Sequence, residues 1–274
     1  MKTSPLANGY VIEIVDFSLR SAFNCNKSRF TLCDLLLAEK VLIFRNQFLE
    51  EDEHVQAASL FGEVHKESAE GENSKPRIRY VSNKPMSEAK TILPQGKLHF
   101  HSDYCFDPKP YKATTLNAIE VPNQGGETLF SDVASAYEKL PDQLKTMLVS
   151  LTALNSYDGS RTIRSQDQSP DEKICNHPCI IRHPETGEPL LFVNRLMTTK
   201  INELNPDEGA DLLERLFDLI EAKENIYRHS WKAGDFVIWD NLAVQHARTS
   251  FSSTDKRVLR RLAIEGTNVE GISK

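Results

Sequence analysis

The chain lacks a long hydrophobic run. Nowhere in its 274 residues does an apolar stretch approach the roughly 20 needed to cross a bilayer as a helix, so no helical membrane span is expected. The start, MKTSPLANGYVIEIVDF, has one lysine and no continuous apolar segment, which argues against a secretory signal. Cysteine is scarce: Cys25, Cys33, Cys105, Cys175 and Cys179 are odd in number and irregularly spaced. A disulfide framework shows more order, and a reduced, cytoplasmic protein is expected. Cys175 and Cys179 have no second pair to complete a zinc site and read as two separate thiols. Basic residues are not in excess either. Thirty-three Lys and Arg stand against thirty-nine Asp and Glu, a net charge of −6. A surface built to coat nucleic acid is thereby excluded, though a local basic pocket is not. There is no internal repeat and no low-complexity tract.

What is present is ordinary globular composition, 39% hydrophobic and 26% charged. A chain of this length buries roughly three quarters of its surface and can hold one large core. We expect a single domain over 1–274. The pattern predicts strands over 10–15, 41–44, 77–82, 114–120 and 128–130, the last after the Gly125-Gly126 turn. Helices are expected over 30–38, over 51–61 with Gly62 as a stop, and over 134–150 with a break at Pro141. Residues 179–182 and 190–194 flank a turn and read as a hairpin. The strongest helix spans 206–222, with Leu212, Leu213, Leu216, Phe217 and Ile220 in one stripe and Asn205 as its cap. Three final strands are expected over 236–239, 243–247 and 257–264. Many strands, few helices and no strict alternation favour a mainly β fold, a sandwich or jelly roll with helices packed outside. The polar stretches 67–75 and 87–97 flank one strand, and 66–97 reads as a lid or insert; longer loops of this kind are disproportionately functional.

The chemistry concentrates in Leu98-His99-Phe100-His101-Ser102-Asp103-Tyr104. On a strand, residues two apart share a face, so His101 and Asp103 would project together, with His99 beside them. Two imidazoles and a carboxylate on one face are costly unless paired, exposed or bound to metal. A two-histidine, one-carboxylate iron site needs three ligands on one face of an octahedron, leaving the other positions open. His-x-Asp supplies two; His246, in the strand-like stretch near the C-terminus, is the candidate third. His-x-Asp alone is weak and also fits a surface pair. Arg257 and Arg261 lie shortly after His246 and share a strand face about 13 Å apart. Facing inward they require anionic partners; on a charged edge strand they would discourage aggregation. Spacing alone leaves those alternatives balanced.

In order and spacing, however, the motifs resemble the taurine dioxygenase and chlorophenoxyacetate dioxygenase family of Fe(II)/2-oxoglutarate-dependent oxygenases. The match runs from Val41 to Gln47 and Phe61-Gly62 through Phe100 to Asp103, Gly125 to Phe130 and Ala136-Tyr137. It closes with Gly234-Asp235, Trp239-Asp240-Asn241, His246 and the stretch from Arg257 to Arg261. The resemblance implies a double-stranded β-helix (jelly roll) core. It implies His101, Asp103 and His246 as the iron triad. Thr128 and Arg257 match the pair holding the far carboxylate of 2-oxoglutarate, a role suited to guanidinium, which gives a carboxylate two parallel bonds. Arg261 matches the residue that binds the substrate's acidic group or shapes the cosubstrate pocket. Asp240 and Asn241 match the structural turn before the distal His. Phe100 stands where many members have Trp, and His99 is a surplus imidazole. The implied activity needs Fe(II), 2-oxoglutarate and O2. It hydroxylates an unactivated C–H of a small, acidic substrate, a carboxylate or sulfonate, with succinate and CO2 as coproducts. Asp103 fills the position that related halogenases leave to chloride. Desaturation or oxidative cleavage on the same centre, a non-catalytic metal-binding module, and a zinc hydrolase using His99, His101 and His246 are the competing readings. A homo-oligomer is plausible for the family.

Overall fold

The apolar run Val41-Leu42-Ile43-Phe44 is fully buried because it lies within a sheet that is covered on both faces. In the computed structural model, residues 1–6, 9–66, 75–84, 96–157 and 172–272 are described. Their elements are β1 (Lys2–Pro5), β2 (Val11–Val15), α1 (Asn26–Glu39), β3 (Val41–Phe44), α2 (Glu51–Ser59), β4 (Arg79–Ser82), β5 (Leu98–His101), β6 (Ala113–Glu120) and β7 (Thr128–Asp132). There follow α3 (Val133–Glu138), α4 (Asp142–Leu148), β8 (Thr152–Tyr157), β9 (Lys173–Pro178), β10 (Ile180–Arg182), β11 (Pro189–Leu191), β12 (Thr198–Ile201) and α5 (Pro206–Ile220). The chain closes with β13 (Ile226–His229), β14 (Phe236–Asp240), β15 (Val244–Arg248), β16 (Val258–Ile264) and β17 (Glu270–Gly271).

Two sheets carry the architecture. The larger has the order β1-β2-β3-β14-β6-β16-β4, and the smaller β13-β7-β15-β5. Their inner faces share one buried cluster, in which Val41, Val237 and Trp239 of the larger sheet meet Phe130 and Val244 of the smaller. Trp239 lies with its ring centroid 5.3 Å from that of Phe130 and 4.7 Å from that of His246. On the outer face of the larger sheet, Leu42, Phe44 and Phe236 pack on Leu32 and Leu36 of α1 and on Ala57 of α2. A third cluster joins α3 and α5 to β8, β10 and β11 through Ala136, Leu216, Ala153, Ile181 and Leu191. The architecture is the mainly β one expected, with helices outside.

Local rules explain most boundaries. Pro141 divides the segment expected as one broken helix into α3 and α4, since proline cannot donate to the preceding turn. Asn205 caps α5 by accepting from the Glu208 amide at 3.0 Å, and its apolar stripe is buried. The hairpin forms between β10 and β11. Strands β1, β8, β9, β12, β13 and β17 were not expected: polar residues break the alternation of most of them, and β12 and β13 pair with strands remote in sequence. β16 lies between β6 and β4, so the edge-strand reading of Arg257 and Arg261 does not hold. The lid expected at 66–97 falls largely outside the described residues.

Behind the larger sheet, His54 of α2 is completely buried. Its Nδ1 accepts from Arg260 Nε at 3.1 Å, which leaves Nε2 to donate to Thr115 Oγ1 at 2.9 Å. Arg260 also donates to Asn117 Oδ1 at 3.1 Å and to the Leu49 carbonyl. Burial, then the Arg260 charge, holds the His54 imidazole well below its ordinary 6.5. The unfolded chain therefore takes up a proton below about pH 6.5 that the fold refuses, and stability falls as pH falls, by up to about 1.4 kcal/mol per pH unit for one such group. In His54→Gln the amide keeps both hydrogen bonds and has no proton to gain. The drop in urea midpoint between pH 7 and pH 5 should be smaller in this variant than in wild type; equal drops would contradict this account.

Candidate active site

Four strands, β5, β7, β15 and β16, and the turn after β5 bring the expected residues together. His246 on β15 is directly opposite His101 on β5, and their ring centroids are 4.2 Å apart. β5 ends at His101, so Asp103 is not on the strand, as the two-residue spacing predicted, but in the turn that follows. That turn is held by Asn241. Its Oδ1 accepts from the Asp103 amide at 2.8 Å, and its Nδ2 donates to the carbonyls of Asp103 and Tyr111, both at 2.9 Å. Asn241 in turn sits beside Asp240, whose Oδ1 accepts from the amides of Leu242 and Ala243. Sequence reading took Asn241 as part of a structural turn; its two-sided grip on Asp103 depends on contacts 138 positions apart.

Together His101, Asp103 and His246 offer ligand atoms that all lie within 4.8 Å of one another. His101 Nδ1 donates to the His99 carbonyl at 2.9 Å, which leaves the Nε2 lone pair facing Asp103 Oδ1 at 3.7 Å. His246 Nε2 is 4.0 Å from Asp103 Oδ2. The surplus His99 is outside this group, which removes the three-histidine set of the zinc reading. Burial, then the charges of His101 and Arg261, pushes the His246 imidazole down to about 3, so it is neutral and able to coordinate. Burial alone would raise the Asp103 carboxyl, but Arg261 and the two histidines hold it well below the usual carboxylate range. Its Oδ2 receives Arg261 Nη2 at 2.7 Å and the Thr114 hydroxyl at 2.9 Å.

Beside the triad is a cavity of about 330 Å³, lined by Thr128, Arg248, Arg257 and Arg261 as well as by His101, Asp103 and His246. Arg257 is 2% exposed and donates through Nε to the Gly126 carbonyl at 3.1 Å. Its Nη1 is buried with no hydrogen-bond partner among the described residues. Burial, then the neighbouring Arg248, lowers it to about 9. A guanidinium in this state calls for an anion. Thr128 Oγ1 accepts from Trp231 Nε1 at 3.0 Å, which leaves its own hydrogen to donate. Gly126, at φ +70°, is required here: a Cβ would lie 3.2 Å from Arg257 Cδ and Nε. Arg248 was not singled out in the sequence, although its place two residues after His246 puts it on the same strand face. It is 5% exposed, donates to the Gly96 carbonyl, and shares the Phe251 ring with Arg257 at 5.6 and 5.8 Å.

The residues fit a ferrous ion with a bidentate oxoacid. Two imidazole nitrogens and a carboxylate oxygen form a three-ligand face with room beside it, and the unpartnered Arg257 donor waits in the same cavity.

Comparison with known proteins agrees. A model of the family described as "Taurine catabolism dioxygenase TauD, TfdA family" matches residues 2–263. The (S)-phenoxypropionate/alpha-ketoglutarate-dioxygenase of Sphingobium herbicidovorans is 30% identical over 237 residues, 82% of each chain. Pentalenolactone F synthase of Streptomyces avermitilis is 34% identical over 183 residues, and the match spans 60% of either chain. Among solved structures, AAD-2 in complex with Mn(II) and N-oxalylglycine superposes with a TM-score of 0.80 at 25% identity, covering 99% of both chains.

Asn241→Ala should leave the fold intact but free the Asp103 turn. An outer-shell loss of this kind typically weakens metal binding about 10- to 100-fold. Anaerobic Fe(II) titration measures it, with the thermal melt of the metal-free protein as control. Unchanged affinity would show that the turn needs no such grip.

Proposed function

The chain belongs to the TauD/TfdA family of 2-oxoglutarate-dependent dioxygenases, whose members need Fe(II), 2-oxoglutarate and O2, and we propose that it hydroxylates an unactivated C–H bond of a small anionic substrate. Succinate and CO2 are the coproducts of this reading. One observation carries it: His101, Asp103 and His246 converge within 4.8 Å in the same cavity as the buried, unpartnered Nη1 of Arg257.

In this reading His101 Nε2, Asp103 and His246 Nε2 hold the iron. Bound with 2-oxoglutarate, the iron supplies oxidative decarboxylation of the oxoacid coupled to transfer of one oxygen atom to a C–H bond. The protein's part is orientation and dryness. Arg257 and the Thr128 hydroxyl hold the far carboxylate of the cosubstrate through charge-assisted bonds. Arg261, matched by resemblance to the substrate's acidic group, has one donor on Asp103. We assign it the work of keeping that ligand ionised and the inner end of the cavity positive. Trp239 and Leu116 wall the inner cavity with apolar surface. Asp103 occupies the ligand position that chloride would need, so hydroxylation is favoured over halogenation. When the hydroxyl lands beside a heteroatom, the product falls apart and the outcome is oxidative cleavage.

We place this chemistry in the cytoplasm as a single catalytic domain. Its five cysteines are unpaired, and no helix among the described residues is long and apolar enough to cross a membrane.

The test is anaerobic. Fe(II) followed by 2-oxoglutarate should produce the weak visible charge-transfer band of the chelate in wild type. His101→Ala should abolish it. Arg257→Ala should need about 10- to 100-fold more 2-oxoglutarate, the loss expected for a charge-assisted bond. Absence of the band in folded, metal-loaded wild type would refute the assignment.

A further inference from the structure

Beyond the iron and cosubstrate residues, the same cavity continues toward solvent. Arg77, Tyr104, Phe106, Tyr157 and Lys173 line this part. Lys173 is exposed, whereas Arg77 and Tyr104 are half-buried and Arg257 is buried, which orders the cavity from mouth to inner end. Arg77 Nη1 donates to the Tyr104 hydroxyl at 2.7 Å. That leaves the phenol's own hydrogen to donate. Among the described residues neither Arg77 nor Lys173 meets a carboxylate.

Charge makes this arrangement informative. Asp103 is the single carboxylate among the residues lining the cavity, against six cations. Arg261 is matched by Asp103. Arg257 is matched, in the reading above, by the far carboxylate of the cosubstrate. Fe(II) and 2-oxoglutarate carry opposite double charges, so their binding together leaves the excess of cations over carboxylates in the cavity unchanged. Of the other four, Arg79 and Arg248 are engaged by the carbonyls of Ile78 and Gly96, and Arg77 and Lys173, both at the outer end, meet no carboxylate among the described residues.

The wall between them and the iron is aromatic. Tyr104 stacks on Tyr111 at 4.1 Å between centroids and lies 4.9 Å from Phe106, which stacks on Tyr157 at 5.5 Å. Tyr104 adopts φ +62°, a left-handed conformation that is strained for a non-glycine residue. Its ring contacts with Tyr111, Phe106 and His65 and the bond from Arg77 hold it there. The strained backbone turns the ring into the wall and its hydroxyl toward Arg77.

We propose that the outer end of the cavity is a second anion subsite, in which Arg77, the Tyr104 hydroxyl and Lys173 receive the acidic group of the primary substrate while its flat apolar body lies along Tyr104, Phe106 and Tyr157. The substrate is then an elongated aryl acid entering with its apolar end inward. Oxidation falls on a carbon remote from the acidic group. This differs from an acid held at Arg261, which would place the oxidised carbon close to the anion. The inference rests on the iron and 2-oxoglutarate reading of the inner end.

The probes are 4-phenylbutanoate and its neutral amide, titrated anaerobically into the Fe(II)–2-oxoglutarate complex and read as a shift of the visible band. Wild type should bind the acid more tightly than the amide. Arg77→Ala should lose about 10- to 100-fold for the acid and leave the amide unchanged. Arg77→Lys should recover part of the loss, and Tyr104→Phe, which keeps the ring, should weaken the acid alone. An acid that binds no better than its amide in wild type, or equally well in Arg77→Ala, overturns the subsite. A band with unchanged 2-oxoglutarate demand in Arg77→Ala shows that variant to be folded and the inner end intact. Loss of the band in wild type would instead sink the reading of the inner end.

Discussion

Everything at the site depends on one buried carboxylate remaining ionised. Burial by itself favours protonated Asp103, and a protonated acid is a poor ligand. Arg261 and the two histidines reverse that preference, and bonds from Arg261 and Thr114 hold Oδ2, leaving Oδ1 toward His101. These helpers come from β16 and β6 of the larger sheet, and Asn241 adds a grip from the turn after β14. The imidazoles come from β5 and β15 of the smaller sheet. The ligand set therefore exists only while the two sheets keep their spacing. Trp239 sets it, being wedged against Phe130 and His246.

A protein of net charge −6 has thus placed its cations where they are most costly. Arg248 and Arg257 are buried side by side, each touching Phe251, and burial lowers both, to about 10 and about 9. Such charges are destabilising without an anion, and that same cost is what makes the cavity receptive to one. Gly126 permits the approach of Arg257, where any side chain would crowd the guanidinium stem. Acidic residues dominate the chain as a whole, so the positive character is local and inward.

Different parts of this organisation were legible to different degrees. The stripe of α5 and its Asn205 cap follow from 3.6-residue periodicity, and β3 and β14 from apolar runs. Strands such as β8 and β9 carry polar residues at most positions and are defined by their partners. The pair Arg257 and Arg261 was readable as two inward guanidiniums or as an edge, and strand order decided it. Asp103 was read on a strand with His101; a turn places it there instead. Arg77, Tyr104 and Lys173 gave no signal, because Arg77 and Lys173 are 96 positions apart and meet only around the cavity mouth.

By itself the amino-acid sequence determined the chemical types available and their order: a His-x-Asp, a distal His, a Gly-Gly turn before Thr128, and two arginines four apart. Those are local facts, and local spacing limits which side chains can share a face. Only the tertiary structure decided which of them meet. Cross-strand register set His101 opposite His246, Asn241 tied Asp103 to a segment 138 residues away, burial kept His246 neutral and neighbouring charges kept Asp103 ionised. The physical reason is that ligand geometry and pKa depend on distance and dielectric, and neither is a property of position along the chain.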